Sequence, residues 1–253
     1  MNAVDTAAQA WMTALDRFAA SQPGGFHRSG PGGTTELVTT APMPLLNGVF
    51  STVRKADAEE VAAFASSPRL ASVAWSVQVR GEEVDDRIVR TAEGHGLLQR
   101  MTLPFMLKEL TGDDLRGSGS DGLVVRRIPA GEGDLYRTTM AAGYEGPAEL
   151  FSVFSAPSLI GHPSMRAYLC EVEGVPVATS FGVLVDDLVG VFNIAVPPAH
   201  RRRGYGWAAT AAVLSDAHAA GARTAFLHAS PLGVPLYQAM GFDLAEHWTI
   251  FAP

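Results

Sequence analysis

The residue types best suited to chemistry lie at one predicted junction between a strand and a helix. Residues 188–196 are apolar and rich in strand-forming side chains, and the prolines at 197–198 cannot continue a sheet. Arginines fill 201–203, glycines stand at 204 and 206, and an alanine-rich helix is expected over 204–220. A strand, a basic loop and a helix start in this order predict a binding site for an anion.

Three properties of this loop favour a phosphate group as the anion. The amides of a helix's first turn have no partner within the helix, and the helix dipole adds partial positive charge there. Gly204 and Gly206 allow the backbone to approach a phosphate closely. Arg201, Arg202 and Arg203 add fixed charges that pair well with phosphate oxygens. A dinucleotide site is excluded, because the three-glycine spacing is absent and the junction comes late in the chain.

Two motifs resemble those of the GNAT N-acetyltransferase superfamily. The strand followed by Arg201-x-x-Gly204-x-Gly206 is similar to the pyrophosphate-binding motif of that family. A later block at 230–242 is similar to the family's later motif, in which Leu-Tyr-x-x-x-Gly-Phe ends a short helix. Two motifs in the family's order, on the expected elements, indicate the family more strongly than either motif alone.

The resemblance implies a fold class and a cofactor. The class is α/β, with a mixed, mostly antiparallel twisted sheet flanked by helices, a GNAT fold in the C-terminal half and a related or degenerate α/β N-terminal half. The implied cofactor is acetyl-coenzyme A (acetyl-CoA). The strand at 188–196 would splay from its neighbour at 223–229, which would leave backbone groups of Ile194 and Val196 free to pair with the pantetheine arm.

The resemblance also implies individual site residues. The expected cofactor-binding residues are Ile194, Ala195, Val196, Arg201, Arg202, Arg203, Gly204, Tyr205, Gly206, Trp207, Ala208, Ser230 and Tyr237. For catalysis, the Val196 amide would stabilise the developing oxyanion, and the Tyr237 phenol would protonate the departing thiolate. Tyr237 could instead simply pack beside Phe242. Asn193, unusual in an apolar strand, could orient the acceptor or a water, or be an ordinary hydrogen-bonded amide.

The base that would deprotonate an acceptor amine is not singled out by the sequence. Glu145, Glu149 and Glu171 are candidates, although charged residues at such positions are usually solvated. His200 is expected on the surface of the loop, and His228 is more typical of a core histidine than of a base. A water chain would serve equally well.

The glycine-rich stretch at 111–122 has the composition of a connector and predicts two domains, 1–115 and 122–253. The second domain is expected to contain strands at 123–128, 165–173, 175–185, 188–196 and 223–229, and helices at 133–143, 147–160, 204–220 and 233–240. A closing β segment follows.

The first domain is expected to be a degenerate GNAT-like copy that lacks the phosphate loop. It should begin with an amphipathic helix at 3–20, followed by a loop at 22–34 that is not a phosphate cradle, because Pro31 lacks an amide donor. A helix at 57–66 should be capped by Asp57, with Glu60 reaching back in a capping box. Two short strands are expected within 96–110. Its hypothetical role is a lid or an acceptor-selecting wall.

Composition limits the partners. The net charge of −7 argues against nucleic acid and anionic membranes, and no stretch approaches membrane-spanning length. Cys170 stands alone, which fits a reducing compartment, and cytoplasm is the expected location. The cysteine is more typical of a small buried residue than of a nucleophile. The absence of metal-ligand spacing predicts no metal.

The predicted function is direct transfer of an acetyl group from acetyl-CoA to a primary amine of a small molecule or peptide, in a ternary complex. Two alternatives stay open: a non-catalytic acyl-CoA sensor or interaction module, and a transferase of a longer acyl group. A homodimer is also left open by the sequence.

Overall fold

The computed structural model describes residues 2–112 and 122–253, so the predicted connector lies mostly outside the described residues. The chain forms two compact units. The first comprises Met1–Met106, His228–Val234 and Leu244–Pro253, and the second comprises Leu107–Leu227 and Pro235–Asp243. The predicted division at 1–115 and 122–253 differs from these units, because two C-terminal segments belong to the first unit.

The regular elements alternate along the described parts of the chain. The helices are α1 (Ala3–Ala20), α2 (Ala58–Ala65), α3 (Asp86–Gly94), α4 (Gly133–Tyr144), α5 (Pro157–Ile160), α6 (Tyr205–Ala219) and α7 (Val234–Ala239). The strands are β1 (Phe26–Ser29), β2 (Thr34–Val38), β3 (Asn47–Ser51), β4 (Ser76–Arg80), β5 (Gln99–Glu109), β6 (Leu123–Arg127), β7 (Met165–Val172), β8 (Val175–Val185), β9 (Leu188–Ala195), β10 (Thr224–His228) and β11 (Asp243–Ala252). The predicted helix at 3–20 is confirmed; the Asn2 side chain caps it by accepting from the Asp5 amide at 2.9 Å.

In the first unit, the strands lie in the order β1, β2, β3, β4, β11, β5. β1 to β3 form an antiparallel meander, β3 pairs parallel with β4, and β4 pairs antiparallel with β11. Helices α2 and α3 bury Val61 and Ile88 against Val77 of β4 and Phe251 of β11 in one apolar cluster. Burial of this shared face is what holds the helices to the sheet.

In the second unit, the strands lie in the order β10, β9, β8, β7, β6. Neighbours from β6 to β9 are antiparallel, and β9 with β10 is parallel. Tyr205 and Ala209 of α6 pack with Ala178 of β8, whereas Tyr136 of α4 packs with Phe181 of the same strand. Because residues an odd number apart on a strand face opposite sides, α6 and α4 cover opposite faces of β8.

The two units share one chain path. In each, an antiparallel meander of three strands leads through a helix to a strand that pairs parallel with the last strand of the meander. The path is β1-β2-β3-α2-β4 in the first unit and β7-β8-β9-α6-β10 in the second. The predicted class, a mixed and mostly antiparallel sheet flanked by helices, is confirmed.

Three element predictions are wrong in detail. The predicted loop at 22–34 contains β1, whose hydrogen-bond partners come from β2 and are not visible in the local sequence. One strand, β5, replaces two short ones; Pro104 does not break it, and its carbonyl accepts from the Ala229 amide at 2.9 Å. The helix at 147–160 is a 3₁₀ segment, Ala148–Ser155, followed by α5, because Pro157 favours a new helix start.

None of the helices in residues 2–112 and 122–253 combines the length and the hydropathy needed to cross a bilayer.

Candidate active site

Strand β9 is bent by a bulge near its C-terminal end. Its register with β8 shifts between Phe181 and Thr179, so that two residues of β9 face one of β8. Asn193 lies in the bulge with φ of 54°, in the left-handed region that asparagine tolerates better than most residues. The Thr179 hydroxyl donates to the Asn193 carbonyl at 2.8 Å and holds the bulge in place.

Beyond the bulge, β9 has an open edge. Its parallel pairing with β10 covers only Leu188, Val189 and Gly190, although β9 continues to Ala195. The two strands therefore separate after three pairs, as the resemblance implied. In the first unit, by contrast, the corresponding pair β3 and β4 stays in register from Gly48 to Ser51.

The loop from β9 to α6 turns through two left-handed residues, Arg202 with φ of 64° and Gly204 with φ of 81°. Gly204 is the N-cap of α6 and has no side chain to offer the first turn. None of the described side chains hydrogen-bonds to the amides of Gly204, Tyr205 or Gly206. The start of α6 can therefore bind an anion, because its amides are unpaired within the described residues and the helix dipole places partial positive charge there.

The corresponding helix start in the first unit is filled by the protein itself. Asp57 accepts from the amides of Glu59 at 2.9 Å and Glu60 at 3.2 Å, which confirms it as the N-cap of α2. The capping box is wrong, because the Glu60 carboxylate instead accepts from the amides of Gly32 and Thr34, both at 2.9 Å. These hydrogen bonds lower the pKa of Glu60 against the opposing effect of desolvation. The Asp57 carboxylate therefore occupies the amides of this helix start that an external anion would need.

Arg201 does not extend away from the protein. Its Nε donates to the Val196 carbonyl at 3.0 Å, and one terminal nitrogen donates to the Gly143 carbonyl at 2.9 Å and to the Glu145 carboxylate at 2.6 Å. Arg202, in contrast, is exposed and makes no hydrogen bond or ion pair with a described residue. Arg203 is exposed as well.

The end of α4 packs directly on the end of β9. A Cβ added to Gly143 would lie 2.7 Å from the Ala195 Cβ and 2.8 Å from the Val196 nitrogen. Only glycine permits this approach. Gly143 was not among the predicted site residues, although an isolated glycine inside a predicted helix is a recognised sign of close packing.

Helix α7 lies beside the start of α6. A Cβ added to Gly206 would lie 3.3 Å from a methyl carbon of Leu236, so a larger residue would push the two helices apart. Tyr205 and Ala208 are buried, and Trp207 is half-buried. Ile194 and Val196 on the open strand are half-buried.

Tyr237 of α7 is buried and packs edge-on against Phe242, with 5.7 Å between ring centroids. Burial raises the pKa of Tyr237, and the nearby Tyr144 phenol raises it further. The phenol is therefore protonated at any ordinary pH. Its hydroxyl makes no hydrogen bond to a described residue, which leaves the proton available to a bound group.

A second buried tyrosine, Tyr136, lies at the β9 bulge and was not predicted from the sequence. The Tyr136 hydroxyl donates to the Ser180 carbonyl at 3.2 Å, and burial raises the pKa of Tyr136 although Asn193 and Thr179 oppose the shift. The Asn193 side-chain nitrogen is shielded from solvent. Asn193 thus forms part of the bulge. Tyr136, which lies near it on α4, belongs to no sequence motif that could have identified it.

The candidate bases are held in different ways. Glu145 is paired with Arg201, and Glu171 accepts two hydrogen bonds from Arg126, both at 2.8 Å, which lower the pKa of Glu171. Glu149 is exposed on the 3₁₀ segment. Glu171 is therefore weakened as a proton acceptor, and Glu145 is engaged by Arg201.

The histidines and Ser230 are placed as follows. His200 lies 6.4 Å from the Tyr205 ring, between centroids. His228, in the first unit, packs between Trp11 and Trp248 at 4.3 and 5.0 Å, and burial lowers its pKa to about 3. The Ser230 hydroxyl, also in the first unit, accepts from the Gly233 amide at 3.2 Å.

The second unit is therefore an α/β fold in which two parallel strands separate and the first amides of a helix beside them have no hydrogen-bond partner in the described part of the chain. Residues 134–242 match the family model of the Acetyltransferase (GNAT) family. The family predicted from the motifs is confirmed for these residues. A comparison with curated proteins gives no match.

Solved structures share the fold over most or all of the chain. A GCN5-related N-acetyltransferase from Kribbella flavida is 21% identical with a TM-score of 0.70, over 100% of this chain and 96% of that one. A conserved protein from Staphylococcus epidermidis is 12% identical with a TM-score of 0.67, over 89% and 92% of the two chains. A GNAT-family protein from Novosphingobium aromaticivorans is 16% identical with a TM-score of 0.56, over 94% and 96%. At these identities the likeness concerns the fold alone.

Within the described ranges, no group of three or more His, Cys, Asp or Glu side chains is arranged to hold a metal ion.

Proposed function

We propose that the protein is an N-acetyltransferase that moves an acetyl group from acetyl-CoA to a primary amine of a small molecule or peptide. The observation that carries this proposal is the open start of α6 next to the separated strands β9 and β10, inside a GNAT domain. The ligand has a diphosphate at one end and amide groups along its arm. The diphosphate needs hydrogen-bond donors, and the amide groups need an unpaired strand edge.

The residues present fit such a ligand. The amides of Gly204, Tyr205 and Gly206 and the side chain of Arg202 would hold the diphosphate. The open edge of β9 around Ile194 would pair with the amide groups of the arm. When bound, the thioester supplies an acyl group that is activated toward attack by an amine.

Two groups of the chain would act on the reaction itself. The Val196 amide, which has no hydrogen-bond partner among the described residues, would donate to negative charge that develops on the acyl oxygen. The Tyr237 hydroxyl, buried and protonated, would donate a proton to the leaving sulfur. Asn193 keeps the bulge that sets the direction of the strand end, and its proposed contribution to catalysis is through this placement.

Direct attack by the acceptor is favoured over a covalent enzyme intermediate. The one cysteine, Cys170, is fully buried, and burial raises the pKa of its thiol to about 12. A neutral and buried thiol is a poor nucleophile. The acceptor amine would therefore attack the acyl group in a ternary complex.

The first unit is proposed to be a degenerate copy of the second that binds no cofactor. It repeats the chain path of the second unit, but its parallel strand pair is closed and Asp57 occupies its helix start. A calorimetric titration of the whole chain with CoA should therefore give one site per chain. A stoichiometry of two would overturn this part of the proposal.

The experiment that tests the function has two stages. Calorimetric titrations with CoA, acetyl-CoA and longer acyl thioesters measure whether the chain binds the ligand and which acyl length it prefers. Thiol release from acetyl-CoA is then measured against a panel of polyamines, amino acids, aminoglycosides and peptides. Binding without thiol release for any amine would favour the sensor alternative, and the absence of binding would refute the proposal. A cytoplasmic location and a homodimer stay predictions.

A further inference from the structure

Arg201 is the first residue of the loop motif, yet its guanidinium group is already engaged within the protein. It contacts the Val196 carbonyl at the end of β9, and it contacts the Gly143 carbonyl and the Glu145 carboxylate at the end of α4. All four residues belong to the second unit. One side chain thus ties the C-terminal end of a helix to the C-terminal end of a strand.

The end of α4 has a physical need for this cation. The last carbonyls of a helix lack partners within the helix, and the dipole places partial negative charge there. Glu145 follows as the C-cap, with φ of 55°, and adds a full negative charge. Arg201 satisfies the free Gly143 carbonyl and neutralises Glu145, so its charge is balanced before any ligand binds.

The contact with Val196 links this arrangement to the reaction. Arg201 holds the Val196 carbonyl, and Gly143 packs against the Val196 nitrogen, so the residue is fixed from both sides. We propose that Arg201 is a positioning residue rather than a phosphate ligand: together with Glu145 it holds the end of α4 on β9 and thereby fixes the Val196 amide. This inference rests on the proposed function, in which that amide assists acyl transfer.

Arg202 provides the contrast within the same loop. It is exposed, and no described residue pairs with it, so its charge is available to a diphosphate. Arg201 and Arg202 should therefore fail in different ways when each is replaced by glutamine. Loss of a phosphate ligand weakens binding in a salt-dependent manner, whereas loss of a positioning residue lowers turnover.

The test compares Arg201→Gln with Arg202→Gln in the full chain. Calorimetric titration with CoA at low and high salt should show an affinity loss of roughly 10-fold for Arg202→Gln, with a weaker salt dependence than the wild type. Arg201→Gln should keep its CoA affinity within about 3-fold and its salt dependence unchanged. Equal losses for the two variants would show that Arg201 binds phosphate and would overturn the inference.

Turnover supplies the second measurement, with the amine identified by the panel as acceptor. Arg201→Gln should lower kcat by about 10- to 100-fold with little change in KM for acetyl-CoA, because a small misplacement of a catalytic group is costly. Glu145→Gln should lower kcat less, and adding it to Arg201→Gln should cause almost no further loss, because the two residues act as a pair. Fully additive losses, or an unchanged kcat in Arg201→Gln, would contradict the proposal.

Three controls and the wild-type titration separate this result from misfolding and from failure of the proposed function. Arg137→Gln removes an arginine of α4 that pairs at 3.0 Å with Asp134 of the same helix, and it should match the wild type in both assays. Thermal unfolding identifies variants that no longer fold, and Arg201→Lys, which keeps the charge, should recover part of the lost kcat without altering affinity. A wild-type chain that binds no CoA would refute the proposed function itself, before any variant is compared.

Discussion

Gly143→Ala is the most direct probe of the contact between α4 and β9. The added Cβ would lie 2.7 Å from the Ala195 Cβ and 2.8 Å from the Val196 nitrogen. Ordinary contact between carbon atoms begins near about 3.5 Å, so the helix and the strand must separate by roughly 0.8 Å. Backbone atoms of Ala195 and Val196 lie in the way, and they cannot rotate aside as a flexible side chain could.

The expected effects on stability and on turnover differ in size. Overpacking costs about 1–3 kcal/mol, and alanine regains about 1 kcal/mol through its better helix propensity, so the free energy of unfolding should fall by roughly 0–2 kcal/mol. Turnover should fall further, by about 10- to 100-fold, because a shift of this size moves the Val196 amide away from the acyl oxygen.

The assay measures thiol release from acetyl-CoA at saturating acceptor, together with urea unfolding. Gly131→Ala is the matched control, since an added Cβ there has nothing within 4 Å, and it should match the wild type in turnover. Wild-type turnover in Gly143→Ala would refute the reasoning that the end of α4 sets the position of the Val196 amide.

Three further predictions concern other residues. Tyr237→Phe should lower kcat by about 100-fold and leave CoA affinity within about 2-fold, by steady-state kinetics and calorimetry; unchanged turnover would remove the phenol from the mechanism. Arg80→Ala should reduce the free energy of unfolding, measured in urea, by about 3–5 kcal/mol, because it leaves the Glu246 carboxylate without the partner that it now binds at 2.6 Å. The control Arg54→Ala removes an exposed arginine and should cost about 0–1 kcal/mol. A similar cost for both would show that burial of the pair is unimportant. Burial lowers the pKa of His228 from 6.5 to about 3, so protonation favours the unfolded chain. Stability should therefore fall by up to about 1.4 kcal/mol for each pH unit as the pH falls from 6.5 to about 3. His228→Phe should remove that part of the slope; an identical slope would place its origin elsewhere.

The difference between the two units has a simple physical basis. Both follow the same chain path, but a helix start binds an external anion only when no internal group satisfies its amides. Asp57 satisfies those of α2, and Gly204 leaves those of α6 open. One residue at the N-cap therefore separates a packing element from a candidate ligand site.

Much of the second unit could be predicted because its signals are local. Apolar runs define β7 to β9, alanines define α6, and the glycines and arginines of the loop lie next to each other in sequence. The motif at 230–242 likewise placed Tyr237 on a short helix. Each of these features depends on residues within a few positions of one another, which is the range over which backbone preference and periodicity act.

The contacts made by Glu60 and Arg201 could not be predicted in this way. Glu60 has the position of a capping-box residue, but it binds amides at Gly32 and Thr34, more than twenty residues earlier in the chain. Arg201 has the position of a phosphate ligand, but it binds the end of α4, more than fifty residues earlier. The sequence identifies a charged side chain without identifying the partner that folding brings to it.

By itself, the sequence determined the family, the alternation of helices and strands in the second unit, and the loop whose helix start can accept an anion. Only the tertiary structure decided where β9 separates from β10, that Gly143 touches the end of β9, and that Arg201 is already paired. The physical reason is that secondary structure follows from short-range preferences, whereas the position and charge balance of a side chain depend on elements that meet only when the chain is folded.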